Sequence, residues 1–454
     1  MNAVKTKRIM LAVCAVLLLA AAGLQAGSDA AARPLELTLE KAVELVKSQN
    51  RDVLIADQER YKAESQVREA RSGAFPQINV SGSYMRNVMK PVMFLAPGTQ
   101  LNPTSQTQTF EIGSDNSYAM GASIAQTLYS RKLGTAMEIA DTYHSYAEEA
   151  YRSATQDAVL AVKRSFYGVM LAQKLVEANR QGLEVAKANY ENVRSLYKFG
   201  KASEFDLLRA EVQLANTEPS VISSENNLVL ALNGLKNLLA LPQDAAISVK
   251  GEFAYEAIPS QVSDEARRNA VSANPMLAGL ALQESMLEKN IDIERANYFP
   301  TVALVGSYQW QTQDNTFKWN DYRWAKIMNV GLQLSFPLFD GFRSNARVDE
   351  ASVDRQKIYY TRLKAEEGLK IQITSAELKM NEAKKRIEGQ EKNIAQAEKA
   401  VRIAQSRYKN GVGTQFDLLD TQVAMTRTQT IYAQAVYDYL VAKAEWQYAV
   451  GLPN

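Results

Sequence analysis

The 454-residue chain contains one cysteine, Cys14, and one histidine, His144. A disulfide framework is therefore excluded. A metal centre, or a Ser/His or Cys/His catalytic set, would need unusual ligands or bases. No metal, no cofactor and no enzymatic activity are expected, although counting residues does not exclude carboxylate chemistry. Lys and Arg total 52 against 50 Asp and Glu, so no polyanion-binding surface and no nucleic-acid partner are expected. Long apolar runs are also missing, apart from Ile9 to Leu24 near the N-terminus. That run is shorter than the roughly 20 residues of a spanning helix. Lys5, Lys7 and Arg8 precede it and small residues follow, which is the pattern of a secretory signal cut near Ala26. A lipid anchor at Cys14 is not expected, because the apolar run continues past it. Losing the signal would remove the only cysteine.

What is present is a repeat. Residues 197–208 read YKFGKASEFDLL and residues 408–419 read YKNGVGTQFDLL. LLALP at 238–242 answers AVGLP at 449–453 with the same offset. Phe75–Pro76 answers Phe299–Pro300, and Asn50 answers Asn274, with an offset longer by 13 (224 against 211). The chain reads as a tandem duplication with a lengthened loop in its first copy. The division expected is 1–26 signal, 27–250 first repeat and 251–454 second repeat.

Each repeat has the order helix, strand, loop, strand, very long helix, break, long helix. The first helices are expected over about 38–73 and 263–297, ended by Pro76 and Pro300. After each Phe-Pro the period changes to two. Ile78, Val80 and Tyr84 alternate with Asn79, Ser81 and Ser83, and the return strand runs through Met120, Ile124 and Leu128. In the second repeat, Val302 to Trp310 and Val330 to Leu338 alternate in the same way. Four strands of about ten residues suit a membrane barrel or a soluble sandwich equally well. Residues 87–117 and 312–327 read as polar, turn-rich loops. Trp319, Tyr322, Trp324, Tyr308 and Trp310 fit either an interfacial aromatic girdle or a small aromatic core.

Ser130 to about Tyr197, and Asp340 to about Tyr408, contain no proline. Helices of that length, about 100 Å at 1.5 Å per residue, imply coiled-coil packing. A stripe dominated by small residues, Ala140 to Ala172, predicts close helix approach. Gly200 and Gly411–Gly413 predict tight reversals, and Ser203–Asp206 and Thr414–Asp417 read as capping boxes opening the return helices. Pro219 is expected to kink the first return helix.

Four antiparallel strands cannot close a barrel in lipid. Two copies would give eight strands, and three copies twelve with room for a lumen. A pore continued by helical hairpins would be a conduit. An adaptor or scaffold made of coiled-coil hairpins is the competing reading, although it leaves the duplicated strands unexplained.

The element order, LTLEKAVELVKSQN, the two Phe-Pro strand starts, the tips RSLYKFGKASEFDLL and SRYKNGVGTQFDLLDTQ, and the terminal LLALP and AVGLP resemble the TolC-type outer-membrane efflux protein family over nearly the whole mature chain. The resemblance implies a mixed α and β fold. Four strands per protomer would join a trimeric twelve-stranded barrel, continued by a coiled-coil helical tunnel in the periplasm. It implies an outer-membrane location in contact with lipid, homotrimerisation, and docking to a periplasmic adaptor and an inner-membrane transporter in efflux or type I secretion. Gly200, Lys201, Gly411, Val412 and Gly413 at the reversals would contact the adaptor. Acidic residues at the positions of Asp417 and Asp420 line the entrance in that family. Asp206 is the first-repeat partner of Asp417. Arg209 stands where the second repeat has Asp420, and an Arg209–Asp420 contact is expected to hold the entrance shut. Asp206 and Asp417 also have work as capping residues, which leaves Asp420 the better pore residue.

Overall fold

A computed structural model describes residues 35–256, 258 and 260–452. The signal segment and Cys14 lie outside the described residues. The chain divides into two compact units. One is built from residues up to Asn50, Ala161–Tyr255 and Glu382–Val441. The other takes Arg51–Leu160, Glu256–Asn381 and the residues from Ala442 onward. Each unit draws on both repeats.

Helix and strand coexist in this chain, as expected. The sheet belongs to the second unit. Strands β2 (Gln77–Arg86), β5 (Asn116–Tyr129), β7 (Thr301–Asp314) and β8 (Ala325–Ser335) form one antiparallel sheet in the order β2-β5-β7-β8. Val80 lies opposite Ala122, Ala122 opposite Tyr308, and Tyr308 opposite Met328. Opposite residues share a face, so one face carries Ile78, Val80, Met120, Ile124, Tyr308, Val330, Leu332 and Leu334. The other carries Asn79, Ser81, Ser123, Ser307, Gln309, Asn329 and Gln333. The expected alternation holds across the four strands except at Leu128, where a bulge between Thr127 and Tyr129 puts Tyr129, not Leu128, opposite Val302. Strand β8 ends at Ser335 and not at Leu338, because Ser335 lies opposite Thr301, where the partner strand β7 begins after Pro300.

The ends of β2 and β5 that join helices lie at the same edge of the sheet as those of β7 and β8. Two loops leave the opposite edge. The longer, expected as a polar, turn-rich loop, holds a short antiparallel hairpin, β3 (Val92–Leu95) with β4 (Gln108–Glu111). At the same edge Tyr118 stacks on Tyr84 at 4.8 Å and meets Trp319 and Tyr322 at 5.0 and 5.3 Å. Tyr118 of β5 and Tyr322 are buried and make a small core, on which the exposed Trp319 packs. Trp310 and Tyr308 form a separate exposed T-shaped pair.

The first helix of each repeat differs from the sequence reading. Each first helix is divided in two by an asparagine. Helix α1 (Leu39–Gln49) stops at Asn50, whose backbone is extended, and α2 (Arg51–Ser72) resumes. The Asn50 side-chain amide donates to the Leu238 carbonyl at 2.9 Å. In the second repeat Asn274, also extended, separates α5 (Ser260–Ala273) from α6 (Pro275–Arg295). Its carbonyl oxygen accepts from the amides of Met276 and Leu277 and caps α6.

The long helices are α3 (Arg131–Lys198) and α7 (Arg343–Lys409), followed by α4 (Glu204–Leu238) and α8 (Gln415–Ala449). Helix α4 runs on through Pro219. The small-residue stripe of α3 is buried or half-buried throughout, but the larger Val162, Phe166, Val169 and Val176 are the more deeply buried set. A short parallel pair, β1 (Leu35–Leu37) with β6 (Ile247–Val249), completes the first unit. The second unit has its own core around Trp446, Leu369, Ile373, Leu277 and Val450. Among the described residues, no helix is long and apolar enough to cross a membrane.

Candidate functional site

The site expected at the two helix reversals lies entirely in the first unit. Both reversals close by the same hydrogen bonds. Gly200 has a φ of 67° and donates to the Tyr197 carbonyl, and Lys201 donates to that of Leu196. Gly411 has a φ of 72° and donates to Tyr408, and Val412 donates to Arg407. These are Schellman closures, and left-handed backbone at the C′ position is why glycine stands there in both repeats. Gly413 has a different reason. A Cβ there would come within 2.9 Å of the Arg407 side chain and 3.2 Å of its backbone. The Val412 side chain projects into solvent.

Both return helices open with reciprocal capping boxes. Asp206 N donates to Ser203 Oγ at 3.1 Å while Ser203 N donates to Asp206 Oδ2 at 3.2 Å. Asp417 N donates to Thr414 Oγ1 at 3.1 Å while Thr414 N donates to Asp417 Oδ2 at 3.2 Å. The two hydrogen bonds from Thr414 hold the Asp417 carboxyl below its usual range, with help from the Arg407 charge. Asp206 and Asp417 are thus engaged locally. Asp420 is exposed and makes no ion pair or hydrogen bond among the described residues.

The expected Arg209–Asp420 ion pair does not form within the chain. The Arg209 guanidinium instead lies 4.8 Å over the Phe416 ring and 5.7 Å from that of Phe205. Phe205 and Phe416 are repeat counterparts, both exposed, and their π faces draw the cation away from the carboxylate.

Three further residues belong to this region. Tyr408 is partly buried, and burial, followed by the nearby Asp206 carboxylate, pushes its hydroxyl pKa up. Its only sequence signal was its place in the repeated YK-G segment. Gln415, 3 % exposed, has neither amide atom hydrogen-bonded, and the same holds for Asn189 at 6 %. Gly182 of α3 approaches Thr426 of α8. Counting equal numbers of residues along the antiparallel pair brings Gln415 level with Val193, and Asn189 level with Leu419. No periodicity signals an orphaned amide, because Gln and Asn read as ordinary helix-surface residues. Among the described residues no cluster of His, Cys, Asp or Glu could hold a metal ion.

The family profile described as "Outer membrane efflux protein" matches residues 42–241 and 266–452. The chain is 24% identical over 340 residues to the alkaline protease secretion protein AprF of Pseudomonas aeruginosa, covering 74% of this chain and 70% of AprF. It is 20% identical over 400 residues to the outer membrane protein TolC of Vibrio cholerae, covering 85% and 86% respectively. Its fold is similar to that of the Campylobacter jejuni CmeC outer membrane channel, with a TM-score of 0.74 at 17% identity, covering 91% of this chain and 85% of that one. The open-state MtrE channel of Neisseria gonorrhoeae gives a TM-score of 0.70 at 17% identity and 94% coverage of both.

Proposed function

The chain belongs to the outer membrane efflux protein family and is an outer-membrane channel of the efflux or type I secretion kind; on that premise we propose how it is assembled and used. This membership decides against the adaptor or scaffold alternative. Three copies close a twelve-stranded barrel in the outer membrane, and the helices lie in the periplasm. The single observation that carries this is the four-stranded sheet. Its face of Ile78, Val80, Met328, Val330, Leu332 and Leu334 is uncovered, and β2 and β8 are open edges. Lipid satisfies the apolar face, but it cannot satisfy an open edge. Three sheets joined edge to edge remove every edge, and twelve strands leave a lumen.

Exposed apolar stripes on the helices support the same assembly. Phe205, Leu208, Val212 and Ile222 on α4, and Val353, Tyr360, Ile371 and Leu378 on α7, recur at coiled-coil spacings and remain uncovered in one copy. The duct carries cargo outward without chemistry of its own. The reversals at Gly200–Lys201 and Gly411–Gly413 dock to a periplasmic adaptor serving an inner-membrane transporter. Asp420, with Asp417 and Asp206 beside it, lines the entrance. Mass measurement of the detergent-solubilised protein tests the assembly. Three copies are expected, and a stable monomer with its full strand content would sink the shared barrel.

A further inference from the structure

Residues 87–115, joining β2 to β5, are ordered by specific contacts. Lys90 pairs with Asp115 at 2.8 Å, and the Asn315 side-chain oxygen accepts from the backbone N–H of Asp115 at 2.9 Å. At the tip Asn102 is fully buried. Its amide nitrogen donates to the carbonyls of Leu95 and Gln106, and its oxygen accepts from the Thr104 hydroxyl. The stem and the tip of the β3–β4 hairpin are therefore both tied down. Its apolar side chains are nevertheless uncovered: Phe94 is 69 % exposed, Phe110 63 % and Met93 48 %. Met93 and Phe110 lie opposite one another on one face, with Phe94 on the other. A lone two-stranded hairpin is marginal in water, and the exposed Met93–Phe110 face marks a contact.

Lipid is not that contact. Strands β3 and β4 pair only with each other, so each presents an open edge that hydrocarbon does not tolerate. The segment springs from Arg86, the last residue of β2, which is an edge strand of the sheet. On the shared-barrel reading, on which this inference rests, that edge is the seam with β8 of the next copy. Trp324, immediately before that β8 and at the rim, is exposed. We propose that the β3–β4 hairpin is a clasp that packs on the β8 end of the adjoining copy and fastens the barrel seam at the rim away from the helices. The partner is thus a second copy of this chain, met through an insertion that only the first repeat carries.

The test uses the full chain in outer-membrane fractions. Met93→Cys combined with Trp324→Cys, oxidised with copper phenanthroline, is expected to give disulfide-linked dimers and trimers, and neither single variant should. Independently, Phe94→Asp with Phe110→Asp is expected to lose the heat-resistant trimer band at temperatures where the unmodified protein keeps it. Absence of the ladder together with an unchanged heat profile overturns the clasp. A wild-type chain that is monomeric with its strands intact overturns the shared barrel instead, so the two failures are distinguishable.

Discussion

Arg209 spans the two helix reversals, its guanidinium 4.8 Å over Phe416 of one and 5.7 Å from Phe205 of the other. The repeat thus supplies two equivalent rings and a single cation between them. An exposed cation–π contact contributes about 0.5–1 kcal/mol. Arg209→Ala is expected to speed amide hydrogen exchange in the first turns of α8 by roughly 2- to 5-fold. Adding Phe416→Ala should change little more, because the same contact is already lost. Fully additive effects in the two variants would show that the rings and the cation act separately.

In the proposed trimer Asp420 is the residue expected to carry the entrance charge. It is exposed and unengaged, whereas Asp417 is held by Thr414. Three copies of a free carboxylate around one axis attract cations and oppose complete closure. Single-channel recording in planar bilayers should find weaker cation selectivity in Asp420→Ala, and weaker still with Asp417→Ala added. Equal selectivity in wild type and double variant would remove these residues from the constriction.

The Asp417 cap also fixes a pH dependence. Its carboxyl pKa is depressed in the folded chain, first by its hydrogen bonds with Thr414 and then by Arg407. A depressed carboxylate contributes stability that is present above its unfolded pKa, about 3.9, and is lost as pH falls through the lower folded value. The start of α8 should therefore hold its exchange protection from neutral pH down to about 4, and lose it below. In Asp417→Asn this loss should disappear, since an amide does not titrate. An acid transition that survives in that variant would have to arise elsewhere.

The strands were legible because giving a sheet one apolar and one polar face imposes a period of two, and Ile78, Val80 and Tyr84 show it. The long helices were legible because Ser130 to Tyr197 offers no proline to stop them. The break at Asn274 had a signal in Pro275, which opens α6, but the break at Asn50 had none. Asparagine is only mildly unfavourable in a helix, and what divides the first helix at Asn50 is a hydrogen bond to Leu238, 188 residues away. The contact between Arg209 and Phe416 was hidden for a related reason. The copy comparison places Arg opposite Asp, but it does not reveal that two exposed rings lie nearer.

Gln415 and Asn189 weaken the region they occupy. A buried amide without partners costs about 1–3 kcal/mol relative to one that is satisfied. Gln415→Leu, close in shape and without polar atoms, is expected to raise the thermal midpoint of the solubilised protein. Asn189→Leu should act in the same direction, and the two gains should be nearly additive if each amide is orphaned separately. A lower midpoint in both variants would show that the amides are satisfied in the assembled protein.

Val412 separates the geometry of the reversal from its role in docking. The turn needs the left-handed backbone of Gly411 and the close approach at Gly413. From Val412 it uses only the backbone N–H donating to Arg407 and the carbonyl accepting from the Arg407 side chain. The side chain touches nothing required for the turn and is 67 % exposed. Val412→Asp should therefore leave helix content, trimer mass and membrane insertion unchanged. If the reversal is an apolar contact for the adaptor, the new carboxylate would be desolvated there without a partner, which is costly. Export should then be lost, along with cross-linking between this region and the adaptor. Gly413→Ala serves as the contrast, because it crowds the turn itself and should disturb helix protection as well as docking. Adaptor cross-linking in Val412→Asp at the wild-type level would mean that this tip is a turn and not a docking surface.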